Sequence, residues 1–219
     1  MEAQSRRTAG PAPGACRLRL PVVLLLPAFL LLGLSPPPSR AGDATDQIRG
    51  AIDRTIGILK DPALAAKGQE EERRERLRKE IAPVFDFEEM AKRSLGPNWR
   101  DRTPEERDRF VALFRELLEN SYLGKIESYQ GEEIRYGKET VDGPYAQVET
   151  VVVTTRGQEI PVHYRMRTDG GRVRIYDVVI EGISLVNNYR SQFQSILQKS
   201  SFAELMEKLR STIREQQRS

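Results

Sequence analysis

Asp177 and Glu181 stand four residues apart in RIYDVVIEG, a spacing that on a strand puts both carboxylates on one face. Such a pair can move protons. Asp177 with Tyr164 or Tyr176 is the only acid–phenol set that an isomerase could use here. The plainer reading is a polar-face pair opposite Arg172 or Arg174. The rest of the inventory is thin. His163 is the sole histidine and alternates out of phase with Val162 and Tyr164, so it should point away from the inner surface. With no second histidine and no ligand spacing, no metal site is expected. Gly182–Ile183–Ser184 lacks the second glycine of a nucleophile elbow, and Ser184 reads as a helix cap. Asp169–Gly170–Gly171 reads as a hairpin turn, and no glycine-rich phosphate loop is present. The expectation is therefore a protein without catalysis or cofactor.

Charge and hydropathy divide the chain. Residues 1–41 carry Arg6, Arg7, Arg17, Arg19 and Arg40 against Glu2. Taking those five bases and one acid from totals of 35 and 32 leaves 30 and 31, a net charge of −1. The basic excess belongs to the N-terminus, which argues against a nucleic-acid-binding face. Arg17 and Arg19 precede LPVVLLLPAFLLLGL, residues 20–34, a run of signal-peptide length and short for a membrane span. Small residues at Ser39 and Ala41 predict cleavage after Ala41, with Ala44 as an alternative. Residues 1–41 are read as a signal peptide and 42–219 as a single domain. Cys16 leaves with the signal, so the mature chain has no thiol and suits an oxidising compartment.

Local pattern places the elements. Residues 44–83 look helical and charged, with Ile48, Ile52, Ile56 and Leu59 at helical spacing and Asp61–Pro62 as a cap and start. The run 70–80 reads as a solvated face held by pairs of opposite charge. Asp86 with Glu89 reads as a capping box, and Gly96–Pro97 as a stop. Thr103–Pro104–Glu105–Glu106 opens a long helix whose stripe Phe110, Leu113, Phe114, Leu117, Leu118, Tyr122 and Ile126 is wide enough to cover a sheet. From about residue 132 the period falls to two. YAQVETVVVTT, EIPVHYRMRT and RVRIYDVVIE form an antiparallel meander, with 132–138 as a further strand. Val148, Val152, Ile160, Val162, Tyr164 and Met166 should share the inward face. Gly182 breaks the last strand, and two helices close the chain, the second opened by Ser201 and Glu204. Helices, antiparallel sheet, then helices argue an α+β fold with helices on one face of a twisted sheet.

Three blocks in this order, FDFEEMAKRSLGPNW, FVALFRELLENSYLGKI and YDVVIEGISLVNNYRSQF, resemble the MlaC/toluene-tolerance family of periplasmic phospholipid-binding proteins over roughly residues 45–215. The resemblance implies an NTF2-like cone, a twisted antiparallel sheet with helices over its concave face and an apolar lipid slot between them. It implies a periplasmic carrier of glycerophospholipid cargo. The carrier would pass lipid between an outer-membrane lipoprotein complex and an inner-membrane ABC transporter with an MCE-domain subunit, maintaining outer-membrane lipid asymmetry through transient contact near membranes. Some relatives are tied to hopanoid biosynthesis, which leaves the lipid class open.

A slot of this kind needs an apolar wall. Phe110, Phe114, Leu117, Val152, Val162, Tyr164, Met166, Val179, Ile183, Tyr189 and Phe193 are taken as its lining, the last residues continuing the wall from strand to helix past Gly182. The same residues would serve a solid core. A periplasmic adaptor, using the charged faces at 70–80 and 100–109 and holding no lipid, is the alternative. The head group is expected near solvent.

Overall fold

The computed structural model describes residues 42–169 and 172–218; the proposed signal peptide and the Gly170–Gly171 turn lie outside them. Three N-terminal helices come first, α1 (Asp43–Leu59), α2 (Pro62–Ala65) and α3 (Glu70–Ile81). The Asp61 carboxylate accepts the Ala63 N–H at 2.9 Å, and proline follows it, so a new helix starts where the previous one stops. A 3-10 turn over Ala82–Val84 leads into α4 (Phe87–Leu95), which ends at Gly96, φ 58°. Helix α5 (Pro104–Glu127) opens with a complete capping box between Thr103 and Glu106. Five strands follow in a meander of order β1-β2-β3-β4-β5: β1 (Glu133–Asp142), β2 (Tyr145–Val153), β3 (Glu159–Asp169), β4 (Arg172–Ile180) and β5 (Ile183–Ser184), each antiparallel to the next. Helices α6 (Leu185–Leu197) and α7 (Phe202–Gln216) finish the chain, α7 with a second complete box from Ser201 and Glu204.

Two bulges set which side chains face inward. Between β3 and β4 the register shifts after the Arg165–Asp177 pair, so Met166 meets Ile175. One extra residue on β4 reverses its parity, and Ile175 and Val178 therefore share a face. That face carries Val148, Val162, Tyr164, Met166 and Val173, packed against Ala44 and Ile48 of α1 and against Val84 and Phe85. A similar shift on β1 between Tyr136 and Glu139 turns Glu139 toward the start of α1.

The apolar residues form two clusters rather than one. The second contains Met90, Leu95, Phe110, Phe114, Leu117, Phe193 and Leu209, from α4, α5, α6 and α7, and no strand residue belongs to it. From Phe110 to Tyr122 the stripe of α5 therefore covers other helices, because α4, α6 and α7 present apolar faces to it first; its last residue, Ile126, reaches the space over the sheet. Phe85 packs against both clusters. Its place is fixed by the neighbouring backbone, where the Asp86 N–H donates to the Ile175 carbonyl at 2.7 Å. Asp86 is 1% exposed; its carboxylate accepts the Glu89 N–H at 3.1 Å and the Arg167 Nε–H at 2.9 Å. The box expected here is only half made, since the Glu89 carboxylate turns to Arg93 at 2.8 Å.

Candidate functional site: an apolar cavity between helix and sheet

A cavity of about 420 Å³ lies over the inward face of the sheet. Helix α1 gives it Ile48, Ala51, Ile52, Thr55, Ile56 and Leu59, a stripe set by helical periodicity. The end of α3 and the turn after it add Ile81, Val84 and Phe85. The sheet supplies Ile134, Val152, Ile160, Tyr164 and Ile175, alternate residues of four strands. The end of α5 and the loop after it bring Lys125, Ile126, Ser128, Tyr129 and Glu132. An engineered cavity of about 150 Å³ accepts one benzene, so at that density 420 Å³ holds on the order of seventeen carbons. That is the carbon count of one acyl chain.

Apart from Thr55, whose hydroxyl donates to the Ala51 carbonyl at 2.8 Å, and the two tyrosines, the polar groups of the lining gather where α5 ends and β1 and β2 meet, at Lys125, Ser128, Glu132 and Thr154. Glu133 of β1 pairs with Val153 of β2 at that same end. Deeper in, the only phenol on the wall is Tyr164. Burial pushes its pKa up to about 12, Tyr136 adds to the rise, and a hydrogen bond with Thr150 opposes it. A phenol held neutral at any physiological pH behaves as apolar wall with one polar tip.

Of the residues expected to line a slot, Val152 and Tyr164 border this cavity. Val162 and Met166 lie on the same face but are packed within the sheet cluster. Phe110, Phe114, Leu117, Tyr189 and Phe193 sit in the helical cluster, where Phe114 meets Tyr189 at 5.2 Å and Phe193 at 5.7 Å between ring centroids. Val179 is buried on the opposite face of β4 from Val178, level with His163 and Ser184. Ile183 does not continue the wall: it is 66% exposed. The reason is a two-residue turn, Glu181 (φ 49°) and Gly182 (φ 82°), with both residues in the left-handed region. Such a turn folds the chain straight back, and Ile183 lands on a short edge strand opposite Ile180. The α1 stripe was visible in the sequence, but nothing in it marked the gap beneath.

Asp177 and Tyr164 are not assembled as an acid–phenol pair; Tyr176 lies close enough to feel the Asp177 charge, with Arg93 4.2 Å from its ring centroid. Asp177 is 3% exposed and fully engaged, accepting from Ser184 Oγ at 2.7 Å, the Val186 N–H at 3.0 Å and Arg165 Nη1 at 3.1 Å. It caps α6 together with Ser184, whose hydroxyl accepts the Asn187 N–H at 3.1 Å. Tyr164 pairs with Val178, so it faces the other side of the sheet from Asp177. The partner of Asp177 is Arg165, and Arg174 lies 3.5 Å from Asp86 instead. Glu181 is in the turn and shares no face with Asp177. Among the described residues no cluster of three or more His, Cys, Asp or Glu could hold a metal ion, and no helix is long and apolar enough to cross a membrane.

An antiparallel sheet with helices above it and an apolar cavity between them defines an α+β protein of two layers. The comparisons specify it further. The family model described as MlaC protein matches residues 49–211, and the chain belongs to that family. It is 26% identical over 185 residues to the toluene tolerance protein ttg2D of Pseudomonas putida, covering 84% of each chain. It is 23% identical over 138 residues to the intermembrane phospholipid transport system binding protein MlaC of Haemophilus influenzae, covering 61% of this chain and 64% of that one. In fold it resembles the phospholipid-binding protein from Ralstonia solanacearum, solved in complex with a phospholipid: TM-score 0.71, 22% identity, covering 80% of this chain and 98% of the other.

Proposed function

We propose that this protein is a periplasmic phospholipid carrier, that the α1–sheet cavity receives an acyl chain of the lipid, and that the lipid is cargo with no cofactor involved. The observation that carries this reading is the cavity itself, about 420 Å³ of apolar wall with most of its polar groups at one end. Each methylene moved out of water contributes about 0.8 kcal/mol, so a chain of seventeen carbons gains roughly 13 kcal/mol. A membrane offers about the same. Apolar walls with few polar groups shield the chain during an aqueous crossing and still allow release. Family membership supports the reading, as do the phospholipid roles of the Haemophilus influenzae and Ralstonia solanacearum proteins. Export by the N-terminal segment, and delivery between an outer-membrane lipoprotein complex and an inner-membrane MCE-domain ABC transporter, belong to the same proposal.

The test is native mass spectrometry with lipid extraction, on protein exported from the full chain and purified from periplasm without detergent. A co-purifying mass of phospholipid size, lost when Val152 or Ile134 becomes Asp, supports the carrier and identifies the lipid, a hopanoid included. A ligand-free mass with no uptake from labelled vesicles favours an adaptor instead.

A further inference from the structure

The rim of the cavity holds two cations that the carrier reading alone does not use. Lys125 lines the cavity from the last turn of α5, and its ammonium lies 5.0 Å from the centroid of the Tyr122 ring. Lys60, the C-cap of α1, stands 5.8 Å from the ring of Tyr129, which is itself a lining residue. A tyrosine face steadies an ammonium without neutralising it. Three arginines nearby are treated differently: Arg73 and Arg74 both pair with Glu127, at 3.3 and 3.0 Å, and Arg54 pairs with Glu80. Carboxylates thus answer Arg54, Arg73 and Arg74, while the two ammonium groups at the rim face aromatic rings, as Arg49 faces Tyr136 at 3.9 Å. The acid of the lining, Glu132, accepts the N–H of Gln130 at 2.7 Å.

The geometry points to Lys60 and Lys125 as a clamp for the phosphodiester of a lipid whose acyl chain occupies the cavity. The inference rests on the carrier reading. An ammonium is a compact point charge with freely rotating donors, suited to a phosphate that arrives in no fixed orientation. A chain running into the apolar depth leaves its glycerol phosphate where α1 and α5 both end. There it meets Ser128, Thr154 and the two lysines. The clamp reads the phosphate and not the group beyond it, so it accepts phospholipids of different head groups and adds nothing to the binding of a neutral lipid with the same tails.

The experiment compares the wild-type protein with K60E/K125E and K60R/K125R. Each is offered vesicles containing phosphatidylglycerol or dioleoylglycerol, and bound lipid is extracted and weighed. Both lysines are solvent-facing, and circular dichroism confirms that the folds match. The expected result is at least a ten-fold loss of phosphatidylglycerol loading in K60E/K125E, unchanged dioleoylglycerol loading, and near-normal loading of both in K60R/K125R. Equal phosphatidylglycerol loading by wild type and K60E/K125E overturns the clamp and leaves the carrier standing. A wild-type protein that loads neither lipid overturns the carrier, and the clamp with it. If soluble glycerol phosphate at millimolar concentration occupies the lysines and blocks loading, the site serves free phosphate, and the assignment to lipid falls.

Discussion

Glu139 on β1 holds the first turn of α1 through Thr45, ninety-four positions earlier: its Oε2 accepts both the Thr45 N–H at 2.9 Å and the Thr45 hydroxyl at 2.5 Å. The other oxygen takes the Gly42 N–H at 2.9 Å. A carboxylate from the sheet thus does what an N-cap side chain usually does, and the helix that roofs the cavity is tied at that end. The Gln47 amide adds a second tie, donating to the Val173 carbonyl at 2.7 Å.

Loss of this tie should be visible in acid. Burial tends to raise the Glu139 pKa, but the hydrogen bonds from Thr45 and from the backbone N–H groups of Gly42, Thr45 and Ala44 outweigh it and hold the carboxyl below the usual range. A depressed carboxyl contributes stability above its unfolded pKa, about 4.3 for glutamate, and loses it as pH falls through the lower folded value. Glu139→Gln should cost about 1–2 kcal/mol at pH 7. The cost should shrink below pH 4. Urea titrations at pH 7 and pH 3.5 check this; an equal cost at both would mean the carboxylate charge is irrelevant.

Asp177 is predicted to matter for folding and not for chemistry. Asp177→Ala strands the Val186 N–H and the Ser184 hydroxyl beside a buried gap and frees the Arg165 guanidinium. The Arg165 guanidinium is 39% exposed and can turn to water, so the cost is that of the stranded donors, roughly 1–3 kcal/mol. Asp177→Asn, which keeps an acceptor oxygen, should lose about half as much. Chemical denaturation of both variants is the measurement, and a cost below about 1 kcal/mol for the alanine would contradict the capping role.

The two clusters should respond in opposite ways. Ile52→Trp places an indole in the cavity from α1 and should leave the melting temperature within a few degrees of wild type. It should cut lipid uptake several-fold. Phe114 is fully buried among Phe110, Tyr189 and Phe193. Phe114→Ala should cost about 3–5 kcal/mol. What remains folded should still take up lipid. Labelled-vesicle uptake per folded molecule separates the two, and the reverse pattern would move the binding site into the helical cluster.

That contrast also marks where the sequence was readable. The boxes at Thr103 and Ser201, the cap at Asp61 and the alternation through Val148, Val152, Ile160, Val162, Tyr164 and Met166 depend on neighbours a few positions away, and all of them formed. The strand expected near residues 132–138 extends to Asp142, since a bulge after Tyr136 lets the ladder resume. The charged run at 70–80 became α3, whose Arg73, Arg74 and Arg78 reach carboxylates on α5 as well as their own helix. What stayed hidden depends on partners far apart in the chain. Phe114 and Ile52 have the same apolar character at the same helical period, and only the arrival of α6 and α7 fills the space beside one and not the other. The parity change on β4 and the positive φ of Glu181 have the same character, since neither residue type announces it.

Tyr164 gives the last prediction. Its ring borders the cavity, yet protein surrounds it, and burial lifts its pKa to about 12 against about 10 for a free phenol. A raised folded pKa contributes stability in full below the unfolded value and loses it as pH rises through the folded one. The wild-type protein should therefore weaken between about pH 10 and 12. Tyr164→Phe has no proton to lose there and should unfold at a higher pH, with a melting temperature near wild type at pH 7. Absorbance at 295 nm through an alkaline titration follows the phenols, and circular dichroism follows the fold. In wild type one tyrosine should ionise late, near pH 12, and that step should be missing from the variant. Lipid in the cavity should delay it further, because a filled chamber keeps hydroxide from the ring; a titration unchanged by bound lipid would place the acyl chains elsewhere.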